Sequence, residues 1–118
     1  MMLLLTDGKN RSDFTVKIKK YDTFLYRFRG LMFRRRPLIN EGIWIIPCNS
    51  IHMFFMFISI DVVFIDKNFK VVKVFPKVKP WKVIPPVKGA HSVLELPVGT
   101  IEKLDLKCGE EITLKNTD

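Results

Sequence analysis

Cysteine is scarce in this 118-residue chain: Cys48 and Cys108 stand alone and far apart, with no CxxC pair. That suits a reducing compartment with buried thiols better than a disulfide scaffold, and the chain lacks the paired thiols of a structural zinc site. Histidine occurs twice, as His52 and His91. The six glycines form no phosphate-cradling loop, and HExxH, GxSxG and the nucleic-acid signature motifs are missing. Long apolar runs are missing too. The longest, IHMFFMFISIDVVFI at 51–65, falls short of the roughly 20 residues a bilayer demands and is broken by His52 and Asp61. The start, MMLLLTDGKN, has no basic residue ahead of its leucines and turns polar at Thr6, so it is not read as a signal peptide. The expectation is a cytoplasmic chain without a membrane span.

Acidic residues are also in deficit, 12 against 20 Lys and Arg, which leaves a net charge of +8. The excess is uneven. Residues 1–36 hold ten basic side chains against three acids, and residues 67–94 hold seven lysines (67, 70, 73, 77, 79, 82 and 88) with no acid at all. Such stretches face phosphates, acidic partners or only water; a solvated lysine-rich face is the commonest case. With 47% hydrophobic and 27% charged residues, the composition is that of one packed globular domain, taken as 1–118.

The patterning is mostly that of short strands. In DFTVKIKKY, Phe14, Val16 and Ile18 alternate with Thr15, Lys17 and Lys19, as in a strand with one wet face. FLYRFRG at 24–30 follows Asp22-Thr23 with helical spacing and ends at Gly30, a short helix with a C-terminal glycine. GIWIIP and 51–66 are nearly continuous in Ile, Val and Phe, which predicts central strands covered on both faces. A hairpin turn at 67–69 leads into KVVKVF, and Pro76, Pro80, Pro85 and Pro86 then confine 76–86 to an edge or the surface. SVLELP is a further strand, TIEKLDL a short helix capped by Thr100, and KCGEEITL a turn and closing strand. The fold expected is mainly β: a barrel-like or strongly curled sheet of six to eight short strands with one or two short helices.

The blocks GLMFR (30–34), GIWIIP (42–47), SIHMFFMFISIDVVFID (50–66), KVVKVFPKVKPWKV (70–83), GAHSVLELPVGT (89–100) and LKCGEEI (106–112) carry a resemblance. In their order and spacing they resemble the domain-of-unknown-function family 192, over about residues 24–114. The resemblance implies a small β-rich, barrel-like domain and brings no activity with it. The chain departs from the family's pattern in Met56-Phe57-Ile58-Ser59-Ile60, where the family commonly carries a basic residue and this chain has none.

Several side chains invite a chemical reading. Asp61 lies inside an apolar strand, so its carboxylate needs either local backbone N–H groups at a bend or bulge, or an arginine among Arg27, Arg29 and Arg34. A catalytic role is disfavoured because no second carboxylate stands at a recognisable spacing. Cys48 and His52, four apart, could join Asp61 and His91 around a metal, or act as nucleophile and base; a core thiol and a hydrogen-bonded imidazole are the simpler account. Met53 and Met56 read as core fillers rather than soft-metal ligands. Glu95 alternates with Leu94 and Leu96, which predicts exposure unless its face lines a barrel mouth. Trp81, between Lys79 and Lys82 beside Pro80, is the tryptophan expected at the surface.

Three functions follow. The preferred one is a non-enzymatic accessory module that binds an unknown small ligand or protein near Arg34, His52, Asp61 and Glu95, acting as a monomer, with no catalytic residue, metal or cofactor implied. The second is binding of nucleic acid or an acidic partner through Arg35, Arg36, Lys79, Trp81 and Lys82, without a motif to indicate nucleic acid. The third is a metal-dependent or cysteine-dependent enzyme.

Overall fold

Alternation and apolar runs place the strands. The computed structural model describes residues 2–6, 15–23, 31, 34–53 and 56–116. Phe14 and the helix expected over 24–30, with Arg27 and Arg29, lie outside them. The elements are β1 (Met2–Thr6), β2 (Val16–Tyr21), β3 (Glu41–Ile45), β4 (Ile51–His52), β5 (Ile60–Ile65), β6 (Val71–Val78), β7 (Val83–Ile84), β8 (Ser92–Leu96), α1 (Thr100–Lys103) and β9 (Thr113–Asn116).

Seven strands form one sheet in the order β6-β5-β8-β3-β2-β1-β9, and β4 pairs with β7 in a second, two-stranded sheet. All neighbours in the large sheet are antiparallel except β2 and β3. In β2, Val16 and Ile18 are buried while Lys17 and Lys19 face water, as the alternation predicts. The strands β5 and β8 are buried at every residue and lie inside the sheet. The 51–66 run does not form one strand: β4 ends at His52, residues 56–59 carry no strand, and β5 begins at Ile60. MLLLT at the start, not read as a strand from its pattern, forms β1 between β2 and β9.

The sheet curls far enough for its two ends to touch. Lys70 bridges Glu111, the Val71 N–H donates to the Glu110 carbonyl at 2.8 Å, and the Gly109 N–H donates to the Val71 carbonyl at 2.7 Å. Closure therefore involves only the start of β6. The sheet buries apolar side chains on both faces. Leu5, Ile18, Val63, Leu94, Ile101 and Leu104 belong to one cluster, which packs α1 against the sheet; Ile43, Met53, Ile60, Val62, Phe64 and Val93 belong to the other. Met53 and Met56 are both buried as core fillers. Gly42 lets β3 come close to β8, since a Cβ there would stand 2.5 Å from the Glu95 carbonyl oxygen.

Candidate functional site

Asp61 sits where β6 bulges. The β5–β6 register steps from Ile60↔Val78 to Val62↔Phe75, so Pro76 and Lys77 together face one residue, and Lys77 takes a positive φ of 50°. This turns the Lys77 N–H onto Asp61 Oδ1 at 3.0 Å. Oδ2 accepts from the Gly99 N–H at 3.1 Å and from the Ile101 N–H at 3.0 Å. The carboxylate thus satisfies three backbone donors inside the protein, two of them at the start of α1. No arginine is needed. Of the three arginines considered from sequence, Arg34 is engaged elsewhere, pairing with Glu41 and donating through Nε to the Arg36 carbonyl at 2.9 Å, and Arg27 and Arg29 lie outside the described residues. Thr100 does not cap the helix either. Gly99, at φ 96°, is the N-cap residue, and the Thr100 hydroxyl donates to the Pro97 carbonyl at 2.8 Å. The cap comes from a distant strand.

Glu95 is buried, 4% exposed, against the simplest expectation for its strand. The register explains why. Its partners are Ile43 on β3 and Val62 on β5, so both flanks are apolar strands of the sheet interior. Its Oε1 meets no hydrogen-bond partner among the described residues. Burial pushes the carboxyl up from 4.5 to about 7. Because Asp61 pairs with Leu96 and Glu95 with Val62, the pleat sends the two carboxyls to opposite faces of the sheet. His52 ends β4 beside Val83, half-buried.

The groups considered for a metal or nucleophilic centre are distributed as follows. Cys48 donates through Sγ to the Ser50 carbonyl at 2.9 Å, and its N–H donates to the His91 carbonyl at 2.8 Å. Cys48 and His91 line a shallow depression of about 320 Å³ that neither His52 nor Asp61 lines. Among the described residues, no three of His, Cys, Asp and Glu gather closely enough to hold a metal ion. Neither cysteine is in a disulfide, and neither is buried as expected: Cys48 is half-buried and Cys108 exposed.

A larger cleft, of about 910 Å³, opens elsewhere. One wall is 72–79, along β6, and the other is 82–88, which includes β7 and its two prolines. The far wall is anchored by β4, by the Met53 N–H on the Lys82 carbonyl at 2.6 Å and by the Val87 N–H on the Asn49 carbonyl at 2.8 Å. Among the described residues, five lysines (73, 77, 79, 82 and 88) line the cleft and no acid does; the rest of that lining is valine, isoleucine, proline and Phe75. Lys79 and Lys82 of the expected basic surface belong to it. Trp81 is 54% exposed at the turn joining the walls but does not line the cleft, and neither do Arg34, Arg35 and Arg36. Arg35 instead stacks its guanidinium 4.8 Å from the Phe57 ring centre. The acid-free lysine run and the prolines are separate features of the sequence; that they form two facing walls follows only from where β4 holds the second one.

Fold and site together define a small curled β-sheet domain, its one short helix among the described residues tied to Asp61 and a lysine-lined cleft at one sheet edge. The chain belongs to the DUF192 family, described as Uncharacterized ACR, whose profile matches residues 4–114. It is 41% identical over 118 residues to a UPF0127 protein of Thermococcus sibiricus, covering 95% of this chain and 73% of that one. A UPF0127 protein of Pyrococcus horikoshii is 35% identical over 115 residues, covering 93% and 96%. Two crystal structures share the fold. A protein of unknown function from Novosphingobium aromaticivorans superposes with a TM-score of 0.79 at 20% identity, covering 96% of this chain and 84% of its own. A Sinorhizobium meliloti protein, provisionally described as a transcription regulator, gives a TM-score of 0.80 at 19% identity, covering 96% and 92%. Among the described residues, no helix is long and apolar enough to cross a membrane.

Proposed function

We propose that this chain is a non-enzymatic binding module whose contact surface is the cleft between 72–79 and 82–88, and that its partner is anionic and carries apolar groups. The observation that supports this is the composition of the cleft: among the described residues, five lysines and no acid around an apolar lining. Lysines placed around low-dielectric walls concentrate a positive field, and the apolar lining rewards burial of apolar surface. Arg34 and Asp61 already have partners within the fold. That leaves the cleft as the better contact surface. Two cysteines outside any disulfide, one of them exposed, fit a reducing cytoplasmic setting. A lysine-lined cleft repels its own copy, which fits a monomer.

Poly-aspartate is the simplest probe. Its binding, followed by titration calorimetry and by amide chemical shifts, is expected at low salt, with shifts concentrated at 72–79 and 82–88 and affinity falling steeply as salt is added. Absence of binding at low salt, or shifts centred on another surface, overturns the reading.

A further inference from the structure

Resting on that reading of the cleft, we infer that the occupant is an extended acidic peptide that adds as a strand to the outer edge of β6. In the sheet order β6 is terminal, with β5 on one side only. Among the described residues its outer side is occupied just at its start, where Val71 exchanges hydrogen bonds with Gly109 and Glu110 and the Val72 carbonyl accepts from Cys108 Sγ at 3.1 Å. From Lys73 to Val78, the described residues supply only β5 and the Asp61 carboxylate as hydrogen-bond partners. This stretch, whose outer edge no described residue pairs, forms one wall of the cleft. An unpaired edge offers main-chain donors and acceptors at strand spacing, the surface that strand addition uses.

Charge narrows the occupant. A second copy of this chain would set lysines against lysines. Lys73, Lys77 and Lys79 stand on one wall and Lys82 and Lys88 on the other, so acidic side chains directed either way along a strand meet a cation. The apolar lining takes the side chains between them. Nucleic acid fits less well, because sequence-tolerant binding of single strands needs open aromatic faces. Phe75, the one aromatic residue among the described lining, meets Phe64 edge-on at 5.9 Å and carries Lys73 Nζ 5.2 Å from its ring centre. No arginine among the described residues lines the cleft. Pro76 and the bulge beside it limit how far the added strand runs in register.

The test uses the full chain and four probes: a short peptide alternating aspartate and valine, two versions of it N-methylated at one or the other alternate set of amides, and an oligothymidylate of equal charge. Strand addition pairs every second amide of the peptide, so one methylated version is expected to lose at least about tenfold in affinity while the other stays within about twofold. Slowed exchange of β6 amides in the complex is expected alongside. Equal binding by all three peptides overturns strand addition while leaving the cleft as an anion site. Tighter binding of the oligothymidylate makes the partner nucleic acid and likewise overturns it. If none of the four binds at low salt, the reading of the cleft itself fails.

Discussion

Glu95 lies between Leu94 and Leu96 on a strand with no exposed residue, and its Oε1 is buried and meets no donor among the described residues. Such a group is tolerable while neutral and costly when ionised. Its pKa is pushed up to about 7 by burial, above the 4.5 of an ordinary glutamate, so the folded chain holds this proton more tightly than the unfolded one. Between those two values folding takes up a proton, and stability must fall as pH rises. The loss is complete above about pH 7 and amounts to something on the order of 3 kcal/mol. Glu95→Gln removes the titration while keeping the shape. Measured by urea unfolding, its advantage over the native chain is expected to grow from pH 4 to pH 8 by about that amount. A difference that stays flat across the range contradicts the account.

Asp61 works between elements: one carboxylate joins β5 to the bulge of β6 and to the first turn of α1. Asp61→Ala deprives three main-chain N–H groups of their acceptor at once, and it is expected to cost about 3–5 kcal/mol in unfolding free energy. Glu95→Ala at neutral pH should cost less, because it also removes a carboxyl that burial penalises. Asp61→Asn, keeping one acceptor oxygen, should fall between Asp61→Ala and the native chain. Equal urea midpoints for the two alanine variants would sink this comparison. The same residue shows how far the sequence could be read. That a charge in an apolar strand needs partners is a local inference, and a bulge with backbone donors was one of its two answers. Which donors serve depends on chain far away, Gly99 and Ile101, which no spacing around Asp61 reveals. The alternation in 16–19 and the apolar runs of β3 and β5 were legible because burial imposes a period. The MLLLT start was not, since three adjacent leucines carry no period that separates a strand from anything else. The prolines after 76 announced an edge, yet the cleft exists because β4 grips β7 and holds the second wall opposite β6.

The net charge of +8 acts over the protein's surface in two opposite ways. Mutual repulsion among cations opposes compaction, so added salt should raise the melting temperature; the same screening should weaken capture of an anion. Whether affinity comes from the general field or from the cleft is separable by moving the change in charge. Lys17 and Lys19 project into water from β2, in the middle of the sheet order, while Lys79 and Lys82 line the cleft. Lys17→Glu/Lys19→Glu and Lys79→Glu/Lys82→Glu alter the net charge equally. If the field alone attracted the partner, both double variants would lose the same affinity for poly-aspartate. If the cleft holds it, the second is expected to lose about tenfold more than the first at low salt, and the gap should narrow as screening removes the long-range part. Titrations of the two variants at matched ionic strength decide the matter, with equal losses assigning the attraction to diffuse charge.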